Sequence, residues 1–438
     1  MTPVEIDNNL IGLIGVGCLI VCVLLGVRIY IAASFVGLCG LIIILGWDAG
    51  AGLAGTIPHS KSVTYSLSVL PMFILIGYLA FHAGITAKLF DATRKWFGWL
   101  PGGLAIASVF ATAGFAAVSG ASTATAAVFS RAAIPEMLNA GYSKQLAAGV
   151  VAAGGTLASL IPPSAILVIY AIVVEQSVGK LLLAGFIPGL ISALIYVIII
   201  LLWVRWYPTI APKIPNVTWR ERFRALPGAL PTLTVVVIIF SSIYLGWATP
   251  TEAGALGAAI VFLIALINKT SAHSFQNAML ESAKLTAMIF ALIWGILIFV
   301  RFLGFTEIPA QFTEWVVSLP YPPVVIMICI LASYVILGMF MDAIGMLLLT
   351  LPVVYPAVIA LGYDPIWFGI VVVKMAEVCL VTPPIGLNCF VVAGIRKDIP
   401  ISTVFRGVLP FVVADILTVT VFLIWPETIT WLPETLTR

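Results

Sequence analysis

Four short stretches carry the polar atoms that could do chemistry in an otherwise apolar chain. They are Ser119-Gly-Ala-Ser-Thr-Ala-Thr125, Gly154-Gly-Thr-Leu-Ala-Ser-Leu-Ile-Pro-Pro-Ser164, Gly338-Met-Phe-Met-Asp-Ala-Ile-Gly345 and Glu377-Val-Cys-Leu-Val-Thr-Pro-Pro-Ile-Gly-Leu-Asn388. A proline removes a backbone donor and blocks the preceding turn, which leaves carbonyl oxygens free to point at something. The hydroxyls of Ser119, Ser122, Thr123 and Thr382 and the amide of Asn388 add neutral oxygens. Neutral oxygens suit a hard monovalent cation such as sodium, which must be bound and then released. Helix N-termini at the same breaks favour an anionic group. The blander reading is packing, because small-residue runs let helices approach closely and a lone proline kinks a helix.

Ionisable groups add a second signal. Asp342, Lys374 and Glu377 fall where charge is expensive. Lys374 and Glu377, three residues apart, are expected to pair on one helix face. Asp342 and Glu377 are expected to cap free N–H groups or to tune ion binding. Arg301 can snorkel to one surface and Arg131 can reach the other, so neither requires a functional role.

These stretches need elements to hold them, and composition says which. Of 438 residues, 62% are hydrophobic and 9% charged, against about 45–50% and about 25% in soluble domains. With a mean hydropathy of +1.18, the chain reads as an all-α polytopic membrane protein. A barrel would alternate apolar and polar residues, whereas long continuous apolar runs recur. The net charge of +3 comes with no basic cluster interleaved with aromatics, so nucleic acid is not an expected partner. Six cysteines without a CxxC pair suggest neither disulfides nor zinc. The acidic start at Glu5 and Asp7 is the wrong flank for a cleaved signal peptide.

About ten crossings are expected, near 9–27, 29–46, 68–84, 145–174, 181–206, 229–246, 251–268, 283–303, 366–395 and 404–425. The segments 104–138 and 322–360 break in their middles, with arms of about 14 residues in the first, roughly 21 Å at 1.5 Å per residue. That falls short of a roughly 30 Å core, so both are expected as re-entrant hairpins. With the N-terminus outside, fifteen basic residues fall in cytoplasmic loops against Lys61, Lys180 and Arg438 outside, a strong positive-inside bias. Both termini are then external. The polar stretch 206–224 is expected as a solvated cytoplasmic connection, with an amphipathic helix on the headgroups as the alternative.

Pro135, Gly141, Tyr142, Pro162 and Pro163 recur as Pro356, Gly362, Tyr363, Pro383 and Pro384, each 221 residues later. Two repeats follow, 29–206 and 250–427, flanked by an N-terminal helix (1–28), a connection with a linking helix (207–249) and a tail (428–438). An odd number of crossings separates equivalent points, so the repeats face opposite ways. Inverted repeats with interrupted helices are the signature of secondary transporters.

The stretches around Ser119–Thr125, Ile134-Pro-Glu-Met137, Gly141-Tyr142, Ile161-Pro-Pro-Ser164 and Glu377–Asn388 resemble the large membrane subunit (M subunit) of tripartite ATP-independent periplasmic (TRAP) transporters of the C4-dicarboxylate type. The resemblance runs along nearly the whole chain. It implies a sodium-coupled, elevator-type importer in a bacterial inner membrane, acting with a small (Q-type) membrane subunit and a periplasmic substrate-binding protein. It departs from the family pattern at Ala158 and Cys379, where glycine is usual.

Two related sodium sites are expected. The first would use the Ser119 and Ser122 hydroxyls and the carbonyls of Ala158, Ile161 and Pro163. The second would use Gly338, Met341, Cys379, Thr382 and Ile385. A carboxylate substrate is expected against Gly120, Thr123 and Thr125 at one tip, Asp342 at the other, and Pro384, Gly386 and Asn388 at the second break. No organic cofactor and no metal beyond sodium are expected. Helices 9–27, 181–206, 229–246 and 404–425 contain neither hairpins nor paired prolines, and are expected to form a static scaffold.

Three competing functions remain. A stand-alone sodium/carboxylate symporter would need no binding protein. A channel would show no counterflow. An intramembrane enzyme would need a buried nucleophile with a base, but His59 and His273 fall in loops, His82 lies near a helix end, and no HExxH occurs.

Overall fold

The computed structural model describes residues 7–212, 217–339 and 341–436. Glu5, Arg438 and positions 213–216 of the polar connection lie outside the described residues. All regular structure among the described residues is helical. The first part of the chain forms α1 (Asn8–Leu24), α2 (Ile29–Leu45), α3 (Trp47–Ser62), α4 (Val69–His82), α5 (Ile85–Phe97), α6 (Gly103–Ser119), α7 (Ser122–Asn139), α8 (Lys144–Thr156), α9 (Ala165–Val173) and α10 (Val178–Trp206). The polar connection holds α11 (Trp219–Ala225), followed by α12 (Leu230–Tyr244). The second part forms α13 (Pro250–Ile267), α14 (Ala272–Leu303), α15 (Ile308–Ser318), α16 (Pro323–Gly338), α17 (Ala343–Ala360), α18 (Pro365–Cys379), α19 (Leu387–Ile395), α20 (Ile401–Ile424) and α21 (Glu427–Leu436).

The 221-residue offset reaches down to single elements. Adding it to the limits of α7 gives those of α17, and the helix caps follow. Ser143 accepts from Leu146 N at the start of α8, and Asp364 accepts from Trp367 N at the start of α18. The Pro162–Pro163 and Pro383–Pro384 peptide bonds are both cis.

Among the described residues, six helices are long and apolar enough to cross a membrane, the longest being α14 with 32 residues. The expected spans 9–27 and 29–46 are helices of 17 residues each. The hairpin arms differ from expectation. They run from 16 to 18 residues, roughly 24–27 Å at 1.5 Å per residue, because helix continues to the last residue before each tip. The helices α3, α5, α15 and α21 fall in stretches read as loops. Their polar faces dilute the apolar signal, and an i,i+4 pair such as Lys95–Asp91 at 2.7 Å in α5 was the available clue. In the connection, α11 starts with a capping box from Thr218 and Glu221 and lays Trp219 and Phe223 against Trp96.

Packing divides the helices into two bodies. In one, α2 lies along α14, and α4 lies against α13 and α14, with α1 and α12 outside them. In the other, the hairpins α6–α7 and α16–α17 surround α8, α9, α18 and α19. The expected scaffold helices 181–206 and 404–425 belong to this second body, which corrects the sequence reading. α10 packs on α6, α9, α18 and α20, and α20 packs on α8. The α8–α20 crossing needs glycine on both sides, because a Cβ on Gly149 would collide with the Gly407 backbone and one on Gly407 with the Gln145 carbonyl.

Candidate functional site

The first tip rests on the first break. Gly120 adopts a left-handed conformation at φ 58°, and a Cβ there would collide with the Pro163 carbonyl oxygen. Ala165 N donates to Gly120 O at 3.4 Å. Glycine is needed at this position for its conformation and for the close approach. Within the tip, the Ser119 and Thr125 hydroxyls lie 3.0 Å apart, and Thr125 donates to Ala121 O at 2.9 Å. At the second tip, Asp342 caps α17 by accepting from Gly345 N at 3.0 Å, as expected of it.

A cavity of about 480 Å³ lies between the two bodies, within the roughly 300–1,000 Å³ range of small-ligand sites. One wall is apolar, with Ile74 from α4 and Leu285, Met288, Ile289 and Leu292 from α14. Gly120, Ser159, Glu377 and Leu380 come from helix ends, and the rest is built from the beginnings of helices. Arg28, Ile29 and Tyr30 open α2, Ala121, Ser122 and Thr123 open α7, and Ala165 and Ile166 open α9; Asp342, Ala343 and Ile344 open α17, and Leu387 opens α19. Five helix N-termini therefore border one cavity. The N-terminus of a helix carries about half a positive charge and unpaired N–H groups, so the cavity is prepared for negative charge. Arg28 is its one basic lining residue. Its guanidinium has only a 3.4 Å approach to Tyr30 OH and no carboxylate partner among the described residues.

Beside this cavity, oxygens are buried without donors. Asn388 spends both amide hydrogens, on Ser122 Oγ at 3.0 Å and Ala152 O at 3.2 Å. That fixes the amide's orientation and leaves Oδ1 with no hydrogen-bond partner. Glu377, only 2% exposed, lies beside the Ser122 and Ser159 hydroxyls, and its Oε2 is likewise unpartnered. An unmet buried polar group costs about 1–3 kcal/mol, more when charged. A small cation beside Ser122 would satisfy acceptors that no protein donor reaches.

The expected Lys374–Glu377 pairing is corrected. Lys374 Nζ lies 2.6 Å from Asp415 Oδ1, with both side chains fully buried. The contact is an ion pair without hydrogen-bond alignment, since Nζ has no hydrogen-bonded partner. Nζ also sits 5.4 Å above the Tyr196 ring. Tyr196 OH donates to Asp415 Oδ1 at 2.7 Å and lies 3.0 Å from Thr156 Oγ1. α10, α18 and α20 are thus joined by one buried polar cluster. Glu377 lies inside α18, and its carboxylate faces the Ser122 and Ser159 hydroxyls.

The residues singled out from sequence are partly gathered. Gly120, Ser122, Thr123 and Asp342 line the cavity, and Asn388 touches it through Ser122. Ser119 faces a neighbouring cavity. Ala158, Ile161 and Pro163 are buried beneath the first tip. Cys379 abuts Gly338 and donates to Tyr334 O at 3.3 Å. Met341 is half-buried, and Thr382 turns its hydroxyl back to Val378 O at 2.7 Å. Pro384 and Ile385 are exposed beyond the cavity, and Gly386 starts α19 in a left-handed conformation. Sequence reasoning did not select Arg28, Ser159 or the start of α9. Arg28 read as one more loop cation, and no local signal distinguishes it from the others.

Comparison with known proteins follows this geometry. Residues 16–428 match the family model described as tripartite ATP-independent periplasmic transporter, DctM component. The chain is 35% identical over 429 residues to the C4-dicarboxylate TRAP transporter large permease protein DctM of Vibrio cholerae, covering 92% of this chain and 94% of that protein. It is 37% identical over 349 residues to the Pseudomonas aeruginosa protein of the same description, covering 79% and 81%. It is 31% identical over 374 residues to the sialic acid TRAP transporter large permease protein SiaM of Vibrio cholerae, covering 84% and 86%. Among solved structures, the YdaH transporter of Alcanivorax borkumensis superposes with a TM-score of 0.59 at 14% identity, covering 89% of this chain and 91% of that one. A likeness at that identity speaks to the fold alone.

Proposed function

This chain belongs to the DctM-component family of tripartite ATP-independent periplasmic transporters, and on that premise we propose that it is the large membrane subunit of a sodium-coupled importer of organic acids. Membership makes it a transporter and not an enzyme. The observation that carries the carboxylate reading is the cavity bordered by five helix N-termini and Arg28. A carboxylate placed there meets positive dipole ends and a guanidinium with no other anion to hold.

Coupling follows from the acids in the same place. Asp342 and Glu377 border the cavity and repel a carboxylate while they are ionised. Ser122, Glu377 and Asn388 would hold sodium through acceptors otherwise unmet, and the bound charge cancels part of that repulsion. Substrate without sodium then binds poorly, and sodium alone gains only part of its stabilisation. That mutual dependence is what a symporter requires.

The body of hairpins and broken helices moves as an elevator against α1, α2, α4, α12, α13 and α14, with the cavity at the sliding interface. In this reading the repeats 29–206 and 250–427 are inverted and the hairpins re-entrant, with 1–28, 207–249 and 428–438 as flanking segments. The protein sits in the bacterial inner membrane with both termini periplasmic, beside a small Q-type subunit and under a periplasmic binding protein. The reading is tested in liposomes with an inward sodium gradient. The purified chain alone should not accumulate succinate or sialic acid, and adding both partners should start uptake of one of them. Robust uptake by the chain alone would replace the tripartite reading with a stand-alone symporter. Uptake that ignores the sodium gradient would end the coupling argument.

A further inference from the structure

A second cavity, of about 390 Å³, adjoins the first across the tip of α6–α7. Ile74, Ala121, Leu285 and Met288 border both. One wall is a single face of α7, where Ala124, Ala127, Val128 and Arg131 follow at helical spacing. Small side chains keep that face open from the tip to Arg131, nine residues from Ser122 and roughly 14 Å along the axis. The opposite wall holds Lys284 and Glu281 of α14 and Tyr78 of α4.

The charges in this cavity are unbalanced. Arg131 and Lys284 are exposed within it, and neither joins an ion pair among the described residues. Glu281, the one acid lining it, is engaged at 3.0 Å by His82 Nε2. The two free cations come from the two bodies, Arg131 from the hairpin and Lys284 from α14. With two cations against one carboxylate the lining is net positive, and a net positive cleft concentrates anions.

The geometry points to a second carboxylate subsite, where Arg131 and Lys284 receive the substrate's carboxylate as it leaves the helix-N-terminal cavity. On the positive-inside assignment this is the cytoplasmic side, so the subsite lies on the release path. The inference deepens the carboxylate-import reading and rests on it. Because both cations are solvated, their hold is weak enough to release. Because the one acid in the cavity is engaged by His82 and pairs with neither cation, it is strong enough to draw the anion off the tip.

The test reads the cavity's potential without needing the physiological substrate. A cysteine in place of Ala127 is labelled in the full chain by an anionic reagent, sulfonatoethyl methanethiosulfonate, and by a cationic one, the trimethylammonioethyl analogue. Modification is read at that peptide by mass spectrometry. The anionic reagent should react faster, and R131Q/K284Q should lower the anionic-to-cationic rate ratio about tenfold, the scale expected for removing nearby charges in a partly screened site. R131K/K284R should restore the ratio, which separates charge from folding. Succinate at millimolar concentration should slow anionic labelling in the parent and not in R131Q/K284Q. Equal rates for the two reagents, or a ratio unchanged in R131Q/K284Q, would overturn the proposal. A charge preference without protection by succinate or sialic acid would overturn the carboxylate assignment of this subsite. Loss of uptake by the assembled transporter with preference and protection intact would count against the import reading alone.

Discussion

Residues 157–164 in the first half and 378–385 in the second are the same backbone device in opposite surroundings. Each ends a helix, passes through a cis proline pair 221 residues from its counterpart and then restarts a helix. The first is buried along its whole length, whereas Pro383, Pro384 and Ile385 are exposed, Ile385 by 40%. The first half supplies no ionisable group of its own at the break, and the acid beside Ser159 is Glu377 of the second half. Where the second half has Lys374, Glu377 and Asp415, the first has Ala153, Thr156 and Leu194 at the equivalent positions. The two halves are also joined, since Tyr196 of the first, itself 3.0 Å from Thr156 Oγ1, donates to Asp415 of the second. The difference teaches that a shared backbone break does not by itself make two equal ion sites.

The charged side of this comparison offers the largest effect. Lys374→Met leaves Asp415 buried and unpaired, which should cost about 3–5 kcal/mol. The thermal midpoint of the purified protein should fall, and Lys374→Met/Asp415→Leu should recover most of the loss. A single variant as stable as the parent would remove the ion pair from the account of this cluster.

The tips come next. Gly120 and Met341 are equivalent under the offset; Gly120 is left-handed and pressed on the first break, whereas Met341 is half-buried. Gly120→Ala should cost about 1–3 kcal/mol of local strain and lower sodium-driven uptake about tenfold. Met341→Ala should stay within about twofold, the range of substitutions outside such features. Equal losses in the two variants would mean that the tips are functionally alike despite their surroundings.

The smallest effect separates two hydroxyls first expected to act alike. Ser122 Oγ lies among unmet buried acceptors, whereas Thr382 Oγ1 is spent on its own helix at Val378 O. Ser122→Ala should cost about 1–3 kcal/mol and raise half-saturating sodium about tenfold, at 1.4 kcal/mol per decade. Thr382→Ala should raise it no more than about twofold. Half-saturation measured from sodium-dependent uptake distinguishes them, and a larger shift for Thr382→Ala would reverse the proposed ranking of the two sites.

Much of the frame was legible in advance. The apolar runs, the paired prolines and the offset marked both tips and both breaks, because each is a local or periodic feature. The amphipathic helices were not, since their mixed faces look like loops to a reading tuned for apolar runs. Four of the seventeen residues chosen for binding line the main cavity directly; Ser122, Thr123 and Asp342 sit at helix beginnings and Gly120 closes α6 at the first tip.

What the sequence determined alone is the solvent, the apolar helices and the 221-residue offset. Hydrocarbon demands long apolar runs and satisfied backbone, so composition and interruptions report them without knowledge of packing. Only the tertiary structure decided that Lys374 meets Asp415, 41 residues away, instead of Glu377 on its own helix. It also placed α10 and α20 with the hairpins, buried one break while exposing its twin, and brought five helix N-termini and Arg28 around one space. A charge takes the partner that burial places within reach, and that depends on helix crossings such as Gly149 against Gly407, which spacing along one chain does not encode.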